Sequence, residues 1–167
     1  MDDYTRANRD AVAQLTAIGA PFEIETQHYE GVPLKAYKNA EPNRAQLMAP
    51  GRQFGDATFV QYPGQSLTYN AFWFAVDRLT TSLIIDLGIV PGDRVAIAMR
   101  NRPEWLIAFT AIVHAGAVVV PLNSWGKSEE LSQSLNDSDA KLLICDSPRF
   151  RYVKQSNSGI TALLVDA

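Results

Sequence analysis

From Asp56 onward, short runs rich in β-branched and aliphatic residues alternate with longer stretches of helical periodicity, and few folds accept that order. The short runs at residues 58–62, 94–99, 118–122, 141–145 and 160–165 read as strands, with amphipathic helices between most of them. Alternation of this kind is the signature of βαβ units around a mainly parallel sheet, so the predicted class is α/β. Residues 94–99 are apolar almost throughout, as in an inner strand covered on both faces, and the strand delivers Arg100-Asn101 at its C-terminal end. That end is where open α/β sheets bind ligands.

Local signals fix most of the helices. Residues 58–62, the Pro63-Gly64 turn and residues 66–68 read as a small hairpin, after which Thr68 is a fitting N-cap. Phe72, Val76, Leu79 and Leu83 then recur at helical spacing and place one apolar stripe on a helix running to about Leu87, ended by Gly88. Pro103 and Glu104 open a second helix, which Trp105, Leu106, Phe109, Ile112 and Val113 make apolar nearly all round, so deep packing is expected. A third helix is predicted with Ser128 as its cap, Glu129 and Glu130 at the positive end of its dipole, and Leu131 and Leu135 inward. Residues 146–159 read as a short basic connection.

Residues 1–55 differ in texture. Pro21, Gly31, Pro33, Pro42, Pro50 and Gly51 punctuate short mixed segments, and only residues 4–18 suit a helix. The expected organisation is therefore an N-terminal extension over 1–55, with a short helix and irregular segments, followed by an α/β subdomain over 56–167. The last apolar run closes two residues before Ala167, so the subdomain is expected to be incomplete at its C-terminal end. A sheet cut short there would expose apolar surface and a strand edge, favouring a homo-oligomer.

Charge and cysteine content narrow the function. The net charge of −3 comes from 15 basic and 18 acidic side chains without long like-charge blocks, so nucleic acid is not an expected partner. Met1-Asp2-Asp3 lacks the basic-then-apolar order of a signal peptide, and the single cysteine, Cys145, sits in an apolar run as a buried structural thiol, so a cytoplasmic location is expected. Residues 105–126 contain no Asp, Glu, Lys or Arg, about a membrane span in length. Gly116, the β-branched residues 118–120 and Pro121 break that segment into helix, turn and strand, so no transmembrane segment is predicted.

Familiar catalytic signatures are missing. Gly126-Lys127-Ser128 resembles the end of a phosphate-binding loop, but Pro121 stands where the motif's first glycine belongs and has neither its flexibility nor a backbone N–H. A G-x-G-x-x-G fingerprint and a Gly-x-Ser-x-Gly elbow are absent. His28 and His114 lack metal-ligand spacing, and His114, on an apolar helix, reads as a structural histidine bonded to a backbone carbonyl.

Several segments, in order, resemble the opening of adenylate-forming (AMP-binding) enzymes: Leu67-Thr68-Tyr69, Pro91-Gly92-Asp93-Arg94-Val95-Ala96-Ile97 and Asn101-Arg102-Pro103-Glu104-Trp105. The stretches 111–123, 128–131 and 137–141, together with residues 31–37, are similar to the fatty acyl-CoA synthetase (long-chain fatty acid–CoA ligase) branch. Ala71 departs from the acidic residue usual in the family, and Gly126 from an aromatic or aliphatic one. The resemblance implies an ATP-dependent parent enzyme that uses Mg2+ and CoA, turning a fatty or other carboxylic acid into an acyl-adenylate and then a CoA thioester. It also implies that the triphosphate loop, the adenine and ribose residues and the late catalytic lysine lie beyond Ala167. This chain alone is thus expected to be inactive, to carry no catalytic residue and to bind no cofactor or metal. Gly116 matches a glycine beside the CoA channel of related synthetases, and Arg149 and Arg151 fall roughly where arginines meet the CoA phosphates, a contact suited to guanidinium. The competing reading is a stand-alone, non-catalytic α/β binding or interaction module.

Overall fold

The computed structural model describes residues 3–155 and 159–165, which form two compact units meeting between Leu47 and Met48. The first unit holds helix α1 (Asp3–Leu15) and an antiparallel hairpin of β1 (Ile24–Tyr29) and β2 (Val32–Tyr37). Glu30 and Gly31, both at positive φ (49° and 82°), join the strands in a two-residue turn. This hairpin replaces the irregular segments expected there. Its strands lie largely exposed, so they lack the clean in–out alternation that marks a half-buried strand in sequence.

Helix α2 (Arg44–Met48) ends at the junction of the units, and a 3-10 segment (Ala49–Phe54) opens the second. Residues 48–55 belong with the α/β unit because this segment packs on the next long helix, where Arg52 forms a two-pronged ion pair with Asp77 and stacks over Trp73. The hairpin of β3 (Thr58–Tyr62) and β4 (Gln65–Thr68) follows. Helix α3 (Tyr69–Ile85) is capped by Thr68, whose hydroxyl accepts from Ala71 N at 3.2 Å. Phe72, Val76 and Leu83 of the expected stripe are buried and Leu79 packs beside them.

The central sheet has four parallel strands in the order β6-β5-β7-β8: β5 (Arg94–Ala98), β6 (Val118–Pro121), β7 (Leu142–Cys145) and β8 (Thr161–Leu164). Three helices connect them: α4 (Pro103–His114), α5 (Ser128–Ser138) and α6 (Ser147–Gln155). The β5-to-β6 crossover runs one way along the sheet and the β6-to-β7 crossover runs back, so right-handed connections put their helices on opposite faces. The two cores agree. Val95, Ile97, Leu142 and Ile144 pack with α3 and α4, whereas Ala96, Ala98, Leu143 and Cys145 pack with Leu131, Leu135 and Val153 of α5 and α6.

Helix α4 is packed over most of its surface, as expected: Pro103, Ala108, Thr110, Ala111 and Ile112 are buried, Trp105, Ile107 and Phe109 lie half-buried against the same core, and Leu106 is exposed. Two other local expectations change. Lys127, not Ser128, is the cap residue of α5, and it makes no side-chain cap bond. The Ser128 hydroxyl donates instead to Gln155 Oε1 of α6 at 3.0 Å. Residues 147–155 form helix α6 rather than a plain basic connection. Asp146 caps it, its Oδ1 accepting from Arg149 N at 3.1 Å, and Pro148 lies in the first turn.

Candidate functional site

Strand order locates the crevice. From β5 the chain leaves toward β6, and from adjacent β7 it leaves toward β8, so the loops beyond the C-terminal ends of β5 and β7 diverge. Open α/β sheets bind ligands at such a switch point. Here it is occupied by side chains: Arg100 follows β5, Asp146 follows β7, and the loop of residues 123–127 follows β6.

Asp146 is the hub. It is 3% exposed and accepts from Arg100 N (3.2 Å), Arg149 N (3.1 Å) and the Arg149 guanidinium (3.1 and 3.3 Å). Arg149, 7% exposed, also donates Nε and Nη2 to the Ser124 carbonyl at 2.9 and 2.7 Å. One buried ion pair thus fastens the β7–α6 turn to the β6–α5 loop. That loop is further held by Asn123, whose Oδ1 accepts from Trp125 N (3.1 Å) and whose Nδ2 donates to Glu130 Oε1 (2.7 Å). A Cβ at Gly126 would stand 3.1 Å from the Asn123 carbonyl oxygen and the Glu130 carboxylate, tighter than ordinary contact, so a side chain here would need one of them to shift.

Arg100 behaves differently. Its guanidinium carbon lies 3.1 Å from the centre of the Trp125 ring, and its Nη1 is buried without a hydrogen-bond partner among the described residues. A buried donor left unmade costs about 1–3 kcal/mol. Trp125 itself is 77% exposed. A separate apolar cavity of about 280 Å3 opens beside the start of α4, between Val60 and Tyr62 of the hairpin and Pro103, Trp105 and Leu106 of the helix. Trp105 stacks on Phe109, rings 5.4 Å apart and 16° from parallel, which makes it a stiff wall.

The anticipated CoA-side residues are not brought together. Arg149 and Arg151 share α6 beyond the C-terminal ends of the strands, Arg149 engaged as above and Arg151 exposed. Gly116 lies at the opposite end, before β6. There it terminates α4 at φ 74°, with Gly116 N bonded to Val113 O and Ala117 N to Ile112 O. A Cβ on it would press within 3.2 Å of Pro91. At the same edge Asp93 takes Val90 N (3.0 Å) and Lys141 Nζ (2.6 Å). The Lys141 ammonium, then the Val90 N–H, hold its carboxyl below the usual carboxylate range. His114 Nδ1 lies 3.0 Å from the Thr110 carbonyl, a structural placement, and Cys145 is buried.

The loop before α5 does not fit a triphosphate. Glu129 and Glu130 occupy the helix's first turn, and the Glu130 carboxylate lies against Gly126. Among the described residues no group of His, Cys, Asp or Glu is arranged to hold a metal ion, and no helix is long and apolar enough to cross a membrane. Sequence reading missed Asp146 and Trp125. The Asp-Ser-Pro order after an apolar strand, an N-cap followed by a first-turn proline, was the signal available for Asp146. Nothing local marks Trp125, whose importance comes from a stack with Arg100, just beyond the end of β5.

Comparison with known proteins adds the family. Residues 48–166 match the model of the AMP-binding enzyme family. The 4-hydroxybutyrate–CoA ligase 2 of Metallosphaera sedula is 30% identical over 139 residues, covering 83% of this chain and 25% of that protein. The oxalate–CoA ligase of Arabidopsis thaliana is 33% identical over 122 residues, covering 70% of this chain and 24% of that protein. The chain therefore spans about a quarter of the length of these relatives. The crystal structure of the N-terminal domain of FACL13 from Mycobacterium tuberculosis superposes with a TM-score of 0.66 at 24% identity, over 75% of this chain and 34% of that one, and shares the fold.

Proposed function

This chain belongs to the AMP-binding enzyme family, and from that premise we propose that it forms the N-terminal sheet of an ATP-dependent acid–thiol ligase. The proposed reaction joins a carboxylic acid to AMP, releasing pyrophosphate, and then passes the acyl group to the thiol of CoA. The observation that carries the reading is the family match over residues 48–166, which coincides with the α/β unit starting at Met48. Two named relatives being CoA ligases supports the thiol acceptor.

Within this scheme the chain is scaffold and pocket wall, inactive alone. The Asp146–Arg149 pair fills part of the switch-point crevice, and the loop that superficially resembles a phosphate cradle presents carboxylates. Residues that touch ATP and Mg2+ are assigned to the rest of the ligase. Of the three CoA-side candidates, Arg151 retains an exposed guanidinium suited to a phosphate, Arg149 keeps α6 in place, and Gly116 is needed for its backbone conformation. The fatty acyl branch, which the motif at residues 31–37 favours, is the substrate class to test first. A cytoplasmic location and self-association through the outer edges of β6 and β8 complete the proposal.

The test has two arms. Titration calorimetry of this chain with Mg-ATP is expected to give no saturable heat, and micromolar binding would overturn the scaffold reading. The protein encoded by the complete reading frame is expected to catalyse carboxylate-dependent exchange of pyrophosphate into ATP. Absence of exchange with every carboxylate tried, alongside tight binding of CoA or a protein by this chain, would favour the stand-alone binding module.

A further inference from the structure

We propose that Arg100 and Trp125 form an anion site at the switch point, in which the guanidinium takes a compact oxyanion, carboxylate or phosphoryl, once the indole swings aside. The charge arrangement leads there first. Two guanidiniums and one buried carboxylate share the crevice, and Arg149 is committed to Asp146 and to the Ser124 carbonyl. Asp146 Oδ2, shared with Arg149 Nη1, takes the Arg100 backbone N–H and no group of the Arg100 side chain. Arg100 forms no ion pair among the described residues, so one positive charge remains uncompensated beyond the ends of β5 and β7.

Geometry gives the same answer. Nη1 of Arg100 is fully buried and unpartnered, a donor awaiting an acceptor. The face of the guanidinium is covered by an indole that is 77% exposed, so little besides the stack holds the cover down. Its backbone, in contrast, is fixed: Asn123 takes the Trp125 N–H, the Asn123 carbonyl takes the Gly126 N–H at 3.0 Å, and the Ser124 carbonyl takes Arg149. Side-chain rotation alone therefore opens the site without moving the loop. Glu129 and Glu130 on the first turn of α5 face the same loop and disfavour bulky polyanions, which is why the ligand is a compact one.

The test uses the whole 167-residue chain in low-chloride buffer, with orthophosphate and butyrate as separate probes, read by titration calorimetry and by tryptophan emission. Saturable binding of either probe is expected, with a change in emission as the indole leaves the guanidinium. Phosphate alone, butyrate alone or both would each support the site and identify the oxyanion source. Arg100→Gln is expected to weaken binding about tenfold or more, as loss of a charge-assisted contact does. Arg78→Gln, on α3 against the other face of the sheet, is expected to leave it unchanged. Trp125→Phe is expected to retain the heat and lose the emission change, which separates the indole from Trp73 and Trp105. The thermal midpoint of Arg100→Gln, matched to the parent chain, shows that lost binding is not lost fold. If that variant does not fold, Arg100→Lys takes its place, with retained binding but a weakened stack. No saturable binding of either probe, or equal binding by Arg100→Gln, would overturn the proposal, and neither result touches the ligase reading.

Discussion

Replacing Asp146 with alanine should be among the most damaging single changes in the α/β unit. The side chain is 3% exposed, caps α6, takes the Arg100 N–H and neutralises Arg149, itself 7% exposed. Breaking a buried pair by removing one partner typically costs about 3–5 kcal/mol because the other charge stays buried. Arg149 would keep its two bonds to the Ser124 carbonyl, which pulls the figure to the low end, while loss of the cap adds about 1 kcal/mol. A net loss of about 4 kcal/mol is expected, close to three orders of magnitude in the folding equilibrium. Asp146→Asn keeps an acceptor for the cap and should lose less, about 2 kcal/mol. Urea unfolding with an unchanged denaturant slope is the assay. Because Arg149→Met removes the stranded charge, the double variant should be less destabilised than the sum of the singles by about 1.5 kcal/mol or more. A loss below about 1 kcal/mol for Asp146→Ala, or strict additivity, would refute the account of this pair.

Further expectations concern the other end of the sheet and its interior. Gly116→Ala forces a Cβ into a left-handed conformation and to within 3.2 Å of Pro91. It should cost about 2 kcal/mol and lower the thermal midpoint by roughly 5–10 °C, and an unchanged midpoint would contradict the strain argument. Asp93, with its carboxyl held below the usual range by Lys141 and the Val90 N–H, contributes stability that is full above about pH 4 and lost as pH falls through the lowered value. The stability gap between the parent chain and Asp93→Asn should therefore narrow from pH 6 to pH 2, and a gap independent of pH would count against it. Cys145, at 0% exposure, should react with a thiol reagent about a hundredfold more slowly in the native chain than in urea, and fast native labelling would show that β7 is not the core strand described.

Much of the α/β unit was legible because its cues are local. The Thr68 cap, the Phe72–Val76–Leu83 stripe, the Gly88 stop and the unbroken apolar run of β7 each carry their structure in a few residues. Helix α6 was misread because its apolar face reduces to Val153 and Phe150 amid basic residues, although Asp146 and Pro148 mark its start. Site geometry was least legible of all. Arg100 was expected at a ligand-facing strand end, but its stack with Trp125, its backbone bond to Asp146 and the bonds of Arg149 to Ser124 join residues 25, 46 and 25 positions apart through the sheet's order, which no periodicity encodes.

The account's central claim is that this sheet belongs to an acid–thiol ligase, and product analysis tests it most directly. The protein of the complete reading frame, supplied with a fatty acid, Mg-ATP and CoA, should yield acyl-CoA and AMP in equal amounts by mass spectrometry. Formation of ADP in place of AMP, or AMP without a thioester across a panel of carboxylates, would contradict it.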